Sequence, residues 1–390
     1  MNDMHGILFA YSSDHRLKPL TAHRTACSLP FGARYRVIDF MLSNMVNSGI
    51  PDVGVIMRED YQSLLDHLGA GRDWDLARKR GGLRILPPFA YAGGSREAGT
   101  YRGKIDALNA IQSYISFIRQ EYIVLADGDL IVNLPLEEIF ERHVKSGADM
   151  TCVCTSRKDN GYAADAAFVR LGAGEQVTEV LLSALGEDVY PCIGVYILSK
   201  DLLVNLMNRC NAENSVDFTK DVLQRYYKEM RIKAFVYDGF AARLHTVADY
   251  FEQSMNLLKP EVRDDLFSRS RPIKTKIRDD APTYYSPESK VKCSVVADGC
   301  SIRGNLENCI VFRGVQIEEG AVLKNCIFMQ DSHIGKNTNL SIYITDKEVT
   351  IEEGCSAKGH RTFPLTIPKG SVVELSDMKG LFDKRSNEKQ

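Results

Sequence analysis

Residues 7–50 read as a strand, loop and helix of the kind that holds a nucleotide, and the loop side chains decide what that segment can do. A loop that cradles a triphosphate uses glycines, because backbone N–H groups then approach the phosphates at φ values and distances that a Cβ obstructs. Here no glycine stands between Gly6 and Gly32. Tyr11 adds bulk where phosphates would lie, and Asp14 adds negative charge beside them. Further on, His23, Arg24, Arg34 and Arg36 form a basic cluster. A guanidinium fork matches phosphate oxygens better than diffuse charge does, so the cluster suits a phosphorylated ligand; a solvated basic face is the other reading. The ten cysteines include no C-x-x-C pair and most sit singly in apolar runs, as buried reduced thiols do. Cys152-Val153-Cys154 is the closest spacing, and without histidines nearby it is a weak zinc motif.

The elements that must position these residues follow from periodicity. A chain of 390 residues with 44% hydrophobic content is expected to form two domains. Its 49 basic and 51 acidic residues nearly cancel, which argues against nucleic-acid or membrane-surface binding by bulk charge. No apolar run approaches the ~20 residues of a spanning helix, and the first strand follows the start without a basic leader, so a cytoplasmic protein is expected. Up to about residue 250, short β-rich runs alternate with helical patterns, which predicts a mostly parallel, Rossmann-like sheet covered by helices. Strands are expected at 6–10, 53–57, 122–126, 150–154, 167–171, 191–197 and 232–237. Helices are expected at 38–48, 61–68, 104–119, 136–146, 200–208, 217–228 and 247–257. Ligands of such sheets sit beyond the carboxyl ends of the strands.

After residues 259–287, rich in charge and proline, a short repeat begins. Asn308-Cys309-Ile310 returns as Asn325-Cys326-Ile327, and Ile317, Ile334 and Ile351 keep the same interval. Six-residue steps grouped into coils predict a parallel β-helix, here expected to be left-handed. The domains expected are therefore 1–258, a linker 259–287, and 288–390 with a C-terminal tail.

Arg16-Leu17, Leu20-Thr21, Phe31-Gly32, Tyr35-Arg36-Val37-Ile38-Asp39-Phe40, Leu42-Ser43-Asn44 and Asn47-Ser48-Gly49-Ile50 carry a resemblance. Together with the β-helix, they resemble the bacterial ADP-glucose pyrophosphorylases (glucose-1-phosphate adenylyltransferases) over essentially the whole chain. The resemblance implies a GT-A-like nucleotidyltransferase domain followed by a left-handed β-helix. It places the family's loop glycines on Tyr11, Ser12 and Asp14, and a loop lysine on Ala26, leaving Arg16 as the persisting cation of the triphosphate loop. Asp129, in Val124-Leu125-Ala126-Asp127-Gly128-Asp129, matches the first metal-binding aspartate, with Asp127 assisting it or capping the turn. The second falls on Arg243, and a guanidinium cannot ligate Mg²⁺. The sugar-phosphate lysine has no counterpart in residues 177–183. Tyr101, Arg102 and Gly103 are the nucleotide-binding remnant, Ser215 to Asp221 matches another retained motif, and His23, Arg24 and Arg36 match a region that recognises phosphorylated effectors.

A kept scaffold with lost phosphate loop, metal ligand and sugar-phosphate lysine is similar to the GlgD-type regulatory subunits of that family. That implies a subunit inactive or weakly active alone, which modulates ADP-glucose synthesis for glycogen in a heterotetramer with a catalytic GlgC-type partner. Mg²⁺ would belong to the partner, and the chain alone would form homo-oligomers. The alternatives are an active sugar-1-phosphate nucleotidyltransferase with atypical phosphate contacts, and a hexapeptide-repeat acyltransferase in which His333 would be the base.

Overall fold

The computed structural model describes residues 3–11, 15–58, 60–87, 101–156, 166–183 and 188–376. In the first domain, β1 (Met4–Phe9) is wholly buried at the middle of a nine-stranded sheet. Parallel to it run β2 (Asp52–Ile56) on one side and β4 (Tyr122–Asp127) on the other, with β3 (Gly82–Leu86) beyond β2 at the edge. A short strand, β5 (Leu130–Val132), follows β4 after a two-residue turn. The other half holds β6 (Met150–Thr155), β7 (Phe168–Leu171), β8 (Val177–Leu181), β9 (Val189–Ser199) and β10 (Ile232–Tyr237). Outside the main sheet, β11 (Ala241–Arg243) pairs antiparallel with β5.

The sheet is mixed, where a mostly parallel one was expected. The eleven-residue β9 runs antiparallel to β4, β6 and β7. An apolar run reads the same in either direction, so hydrophobicity alone does not orient a strand buried on both faces. After α1 (Ile38–Asn47) and α2 (Gln62–Leu68), the helix expected over 104–119 divides at Ile111 into α3 (Lys104–Ala110) and α4 (Gln112–Phe117). Helices at Ile38–Asn47, Gln62–Leu68, Leu136–Ser146, Lys200–Ala212 and Val247–Asn256 match the expected periods, and residues 218–224 form a wide helical turn. The retained Leu42-Ser43-Asn44 motif serves the packing of the sheet. Asn44 donates to the Val132 carbonyl at 2.9 Å and accepts from the Leu134 N–H at 3.2 Å. It thereby ties the Ile38–Asn47 helix to the strand beside the acidic turn.

The second domain is a stack of parallel coils, consistent with the left-handed form expected from its hexads. Ile302, Ile317, Ile334 and Ile351 lie in register up one face, and Leu306, Leu323 and Leu340 up a second. Asn308 and Asn325 both take φ near +50°, and their side chains hydrogen-bond to each other at 3.3 Å, so the repeated asparagine serves the coil corner. Residues 259–287, read as a linker, carry a short helix Pro260–Leu266 and the first β-helix strand, Tyr284–Tyr285. Val262 and Leu266 join Phe31, Phe40, Phe240 and Tyr250 of the first domain, and Phe312, Met329 and Ile344 of the second, in one apolar cluster. The domains therefore share a core. Among the described residues no helix is long and apolar enough to cross a membrane.

Candidate functional site

Asp127 ends β4 and Asp129 lies just beyond, both almost completely buried at the carboxyl end of the sheet. Bare carboxylates there would be costly, and the fold answers with two cations. Lys104, the first residue of α3, places Nζ 2.6 Å from one Asp127 oxygen and 2.9 Å from the other. Arg243, at the end of β11, hydrogen-bonds Asp127 and stands 3.4 Å from Asp129. Gly194 makes room for this contact: a Cβ there would meet an Asp127 oxygen at 2.2 Å and the Arg243 guanidinium at 2.9 Å. Its φ of +83° sits at the irregularity of β9 between Cys192 and Val195. Burial pushes the Asp127 pKa up, but Lys104 and Arg243 outweigh it and hold the carboxyl below its ordinary value. Asp129 is pushed above its ordinary value by burial, against the pull of Arg243, with Asp127 adding to the rise.

This arrangement does not fit a divalent cation. Two carboxylates are already matched by two basic groups, and the guanidinium bridges the oxygens that a metal would use. Lys104 was missed in the sequence because it stands 23 residues before Asp127, with no local pattern to join the two.

Tyr11 leans on Phe9 and on Tyr101, with ring centroids 6.1 and 5.8 Å apart. Burial, then Asp127, pushes its hydroxyl pKa well up, so it stays neutral. The tyrosine thus packs against the very residue expected to face a nucleotide. Gly103 lies so close to Val216 that a Cβ would meet its carbonyl oxygen at 2.3 Å, which explains the retained glycine by packing. Arg102 is about half exposed and reaches Asp106 at 3.6 Å. Ala26 is buried in the apolar cluster between the domains, and Arg16 is exposed. Ser12 and Asp14 lie outside the described residues.

The basic cluster divides. His23 is exposed, whereas Arg24 is 4% exposed and forms an ion pair with Asp346 of the β-helix at 2.5 Å. Its Nη1 is buried without a hydrogen-bond partner among the described residues. Arg36 donates to the Ser63 carbonyl at 2.6 Å and to its hydroxyl at 2.9 Å, and burial lowers its pKa to about 10. Arg34 turns elsewhere, 4.0 Å from Asp298. The structure adds Lys347, next to Asp346: burial, then Arg36 and Arg24, lowers its pKa to about 7. Arg24, Arg36 and Lys347 therefore form a cationic knot at the domain junction with Asp346 as its paired carboxylate. No local pattern joins Arg24 to a residue 322 positions away.

Two other readings are placed by the fold. His333 lies 3.5 Å from Glu318 on a partly exposed coil face, as an ordinary surface pair does. All ten cysteines are free and nine are buried. Cys192 completes a group with Cys152 and Cys154, with sulfurs 3.5 Å (Cys154 to Cys192) and 3.9 Å (Cys152 to Cys154) apart, inside the apolar core.

Comparison with known proteins agrees with this fold. Residues 6–259 match the Nucleotidyl transferase family, and residues 282–359 the GlmU-like C-terminal hexapeptide family. The chain is 34% identical to the glycogen biosynthesis protein GlgD of Bacillus subtilis (strain 168), over 95% of this chain and 97% of that protein. It is 34% identical to GlgD of Geobacillus stearothermophilus over 83% of each chain. To the glucose-1-phosphate adenylyltransferase of Bacillus mycoides (strain KBAB4) it is 30% identical, over 89% of this chain and 93% of the relative. The chain belongs to the GlgD and glucose-1-phosphate adenylyltransferase family. Within that family, the Asp127–Arg243–Lys104 cluster is the feature that bears most directly on whether this member carries out nucleotidyl transfer.

Proposed function

We propose that the chain is a regulatory subunit of a glucose-1-phosphate adenylyltransferase, with little or no turnover of its own, acting in glycogen synthesis in the cytoplasm. The observation that carries this reading is the capture of Asp127 by both Lys104 and Arg243, with the same guanidinium 3.4 Å from Asp129. Nucleotidyl transfer draws on a divalent cation between carboxylates and phosphate, and on cations free to take up developing charge. Here the carboxylates and the cations neutralise one another. Tyr11, packed on Tyr101, supports the same conclusion from the nucleotide side.

The partner is a catalytic subunit of the same family, which supplies Mg²⁺ and the chemistry, in a heterotetramer; alone, the chain forms homo-oligomers. The regulatory input is a phosphorylated effector or inorganic phosphate at His23, Arg24 and Arg36, extended by Lys347. The unpartnered Arg24 Nη1 beside two further cations favours an anion at this junction. A ligand there would touch both domains and bias their packing.

The test is ADP-glucose formation from ATP and glucose-1-phosphate by the pure chain, by a catalytic adenylyltransferase, and by the two mixed. The expected result is negligible turnover alone and a changed rate or effector response in the mixture. A turnover number near ~1 s⁻¹ or above for the pure chain, ordinary for an enzyme, overturns the reading.

A further inference from the structure

At the amino end of the central sheet, a groove of about 870 Å³ opens between the turn before β3, β3 itself and the segment after α4. Its location is set by His5, Asp52 and Gly82, which stand near the starts of β1, β2 and β3. Asp127 ends β4, four residues further along the strand direction and about 13 Å away at ~3.3 Å per residue. The groove is therefore separate from the acidic site and from the Arg24 junction.

Five basic side chains line it: Arg78, Lys79 and Arg80 from the turn, Arg84 from β3 and Arg119 after α4. All are exposed, and none has an ion-pair partner among the described residues. The carboxylate that shares the groove, Asp52, is committed to the Gly82 N–H at 2.7 Å and to Gln120 at 2.6 Å. His5 is buried and hydrogen-bonded to the Tyr114 hydroxyl at 2.9 Å; burial lowers its pKa to about 4, so it adds no charge at neutral pH. In a chain of net charge −2 this concentration is local. Like charges converging on one concavity repel, and a multivalent anion relieves that repulsion. The groove also has an aromatic side, where Tyr114 lies beside Phe117, which is 82% exposed.

We propose that this groove binds a nucleoside di- or triphosphate, with the phosphates held by Arg80, Arg84 and neighbouring cations and the base laid on Phe117. Its volume falls in the usual range for small-ligand sites, roughly 300–1,000 Å³, and exceeds what a single phosphate fills. Convergence of the cations on one hollow, instead of a stripe along the surface, favours a compact ligand over a nucleic-acid strand.

The test uses the full chain, ADP and inorganic tripolyphosphate as probes, and calorimetry at low salt without added metal. ADP should bind, and tripolyphosphate should displace it. Arg80→Glu and Arg84→Glu should each weaken both probes about tenfold or more, the scale of one lost charged contact. Phe117→Ala should weaken ADP and leave tripolyphosphate unchanged. These side chains are exposed, so unchanged melting curves are expected. Unaltered ADP affinity in the arginine variants, unaltered ADP affinity in Phe117→Ala, or a single-stranded oligoribonucleotide that binds the same arginines and resists displacement by ADP would each overturn the assignment.

Discussion

Arg243→Asp restores the carboxylate that the family resemblance places at this position, and the structure says what that change does before any substrate is added. The substitution removes the group that joins Asp127 to Asp129 and leaves Lys104 facing three buried acids. Breaking a buried pair and leaving its partner uncompensated costs about 3–5 kcal/mol. At about 2–4 °C per kcal/mol for a domain of this size, Tm should fall by roughly 6–20 °C in EDTA. Three carboxylates at adjoining strand ends also make an oxygen site for a hard divalent cation. Mg²⁺ at about a hundred times its Kd would return about 2.7 kcal/mol, so the variant's melting curve should climb by several degrees with Mg²⁺ while the wild type's stays fixed. The pH dependence separates the two proteins further. In the wild type Asp127 has a lowered pKa, so its stabilisation is present at neutral pH and is lost as pH falls below the ordinary carboxylate range. In the variant, crowded acids have raised pKa values, so the deficit should be largest at neutral pH and shrink towards pH ~5. Differential scanning calorimetry decides the matter. A variant that melts like the wild type in EDTA, or a wild type stabilised by Mg²⁺ as strongly as the variant, refutes the view that Arg243 stands in for a metal ion.

Arg24→Met should destabilise by about 3–5 kcal/mol in urea unfolding, because Asp346 is left buried and unpaired, and Arg24→Met with Asp346→Leu should recover most of that loss. Sulfate remains dianionic across neutral pH, so its binding at the domain junction should strengthen as pH falls through about 7, where Lys347 gains its proton; Lys347→Met should flatten that calorimetric profile. Without an anion the same depressed lysine makes stability rise with pH between about 7 and the ordinary lysine value, which chemical denaturation at several pH values can check. We propose that the β-helix carries assembly, because its last coil exposes Val372 and Phe363; Val372→Asp with Phe363→Asp should then lower the mass seen by light scattering without changing circular dichroism.

What the sequence disclosed, and what it withheld, follows from the range of the interaction concerned. The loop without glycines, the acidic turn and the hexads are local patterns, since each is built by residues within a few positions of one another. Arg243 was legible only by resemblance, and its effect only by geometry, because its partners lie 116 and 114 positions earlier. Lys104 and Lys347 carried no local signal of their pairing; each becomes informative through a neighbour supplied by another element. The same limit explains the misread direction of β9 and the unforeseen third cysteine beside Cys152 and Cys154, since strand pairing is a long-range property. It also explains why the basic cluster was drawn too widely. Arginines spaced by ten and two residues looked equivalent along the chain, yet the fold sends Arg24 inward to Asp346, Arg36 to Ser63 and Arg34 towards Asp298. The acidic site is thus intelligible as a coupled set: Lys104, Arg243 and the room left by Gly194 together determine how buried Asp127 is tolerated. Changing Arg243 alone leaves Lys104 paired with Asp127, so a divalent cation at the new carboxylate must compete with that ammonium and recovers only part of the lost stability.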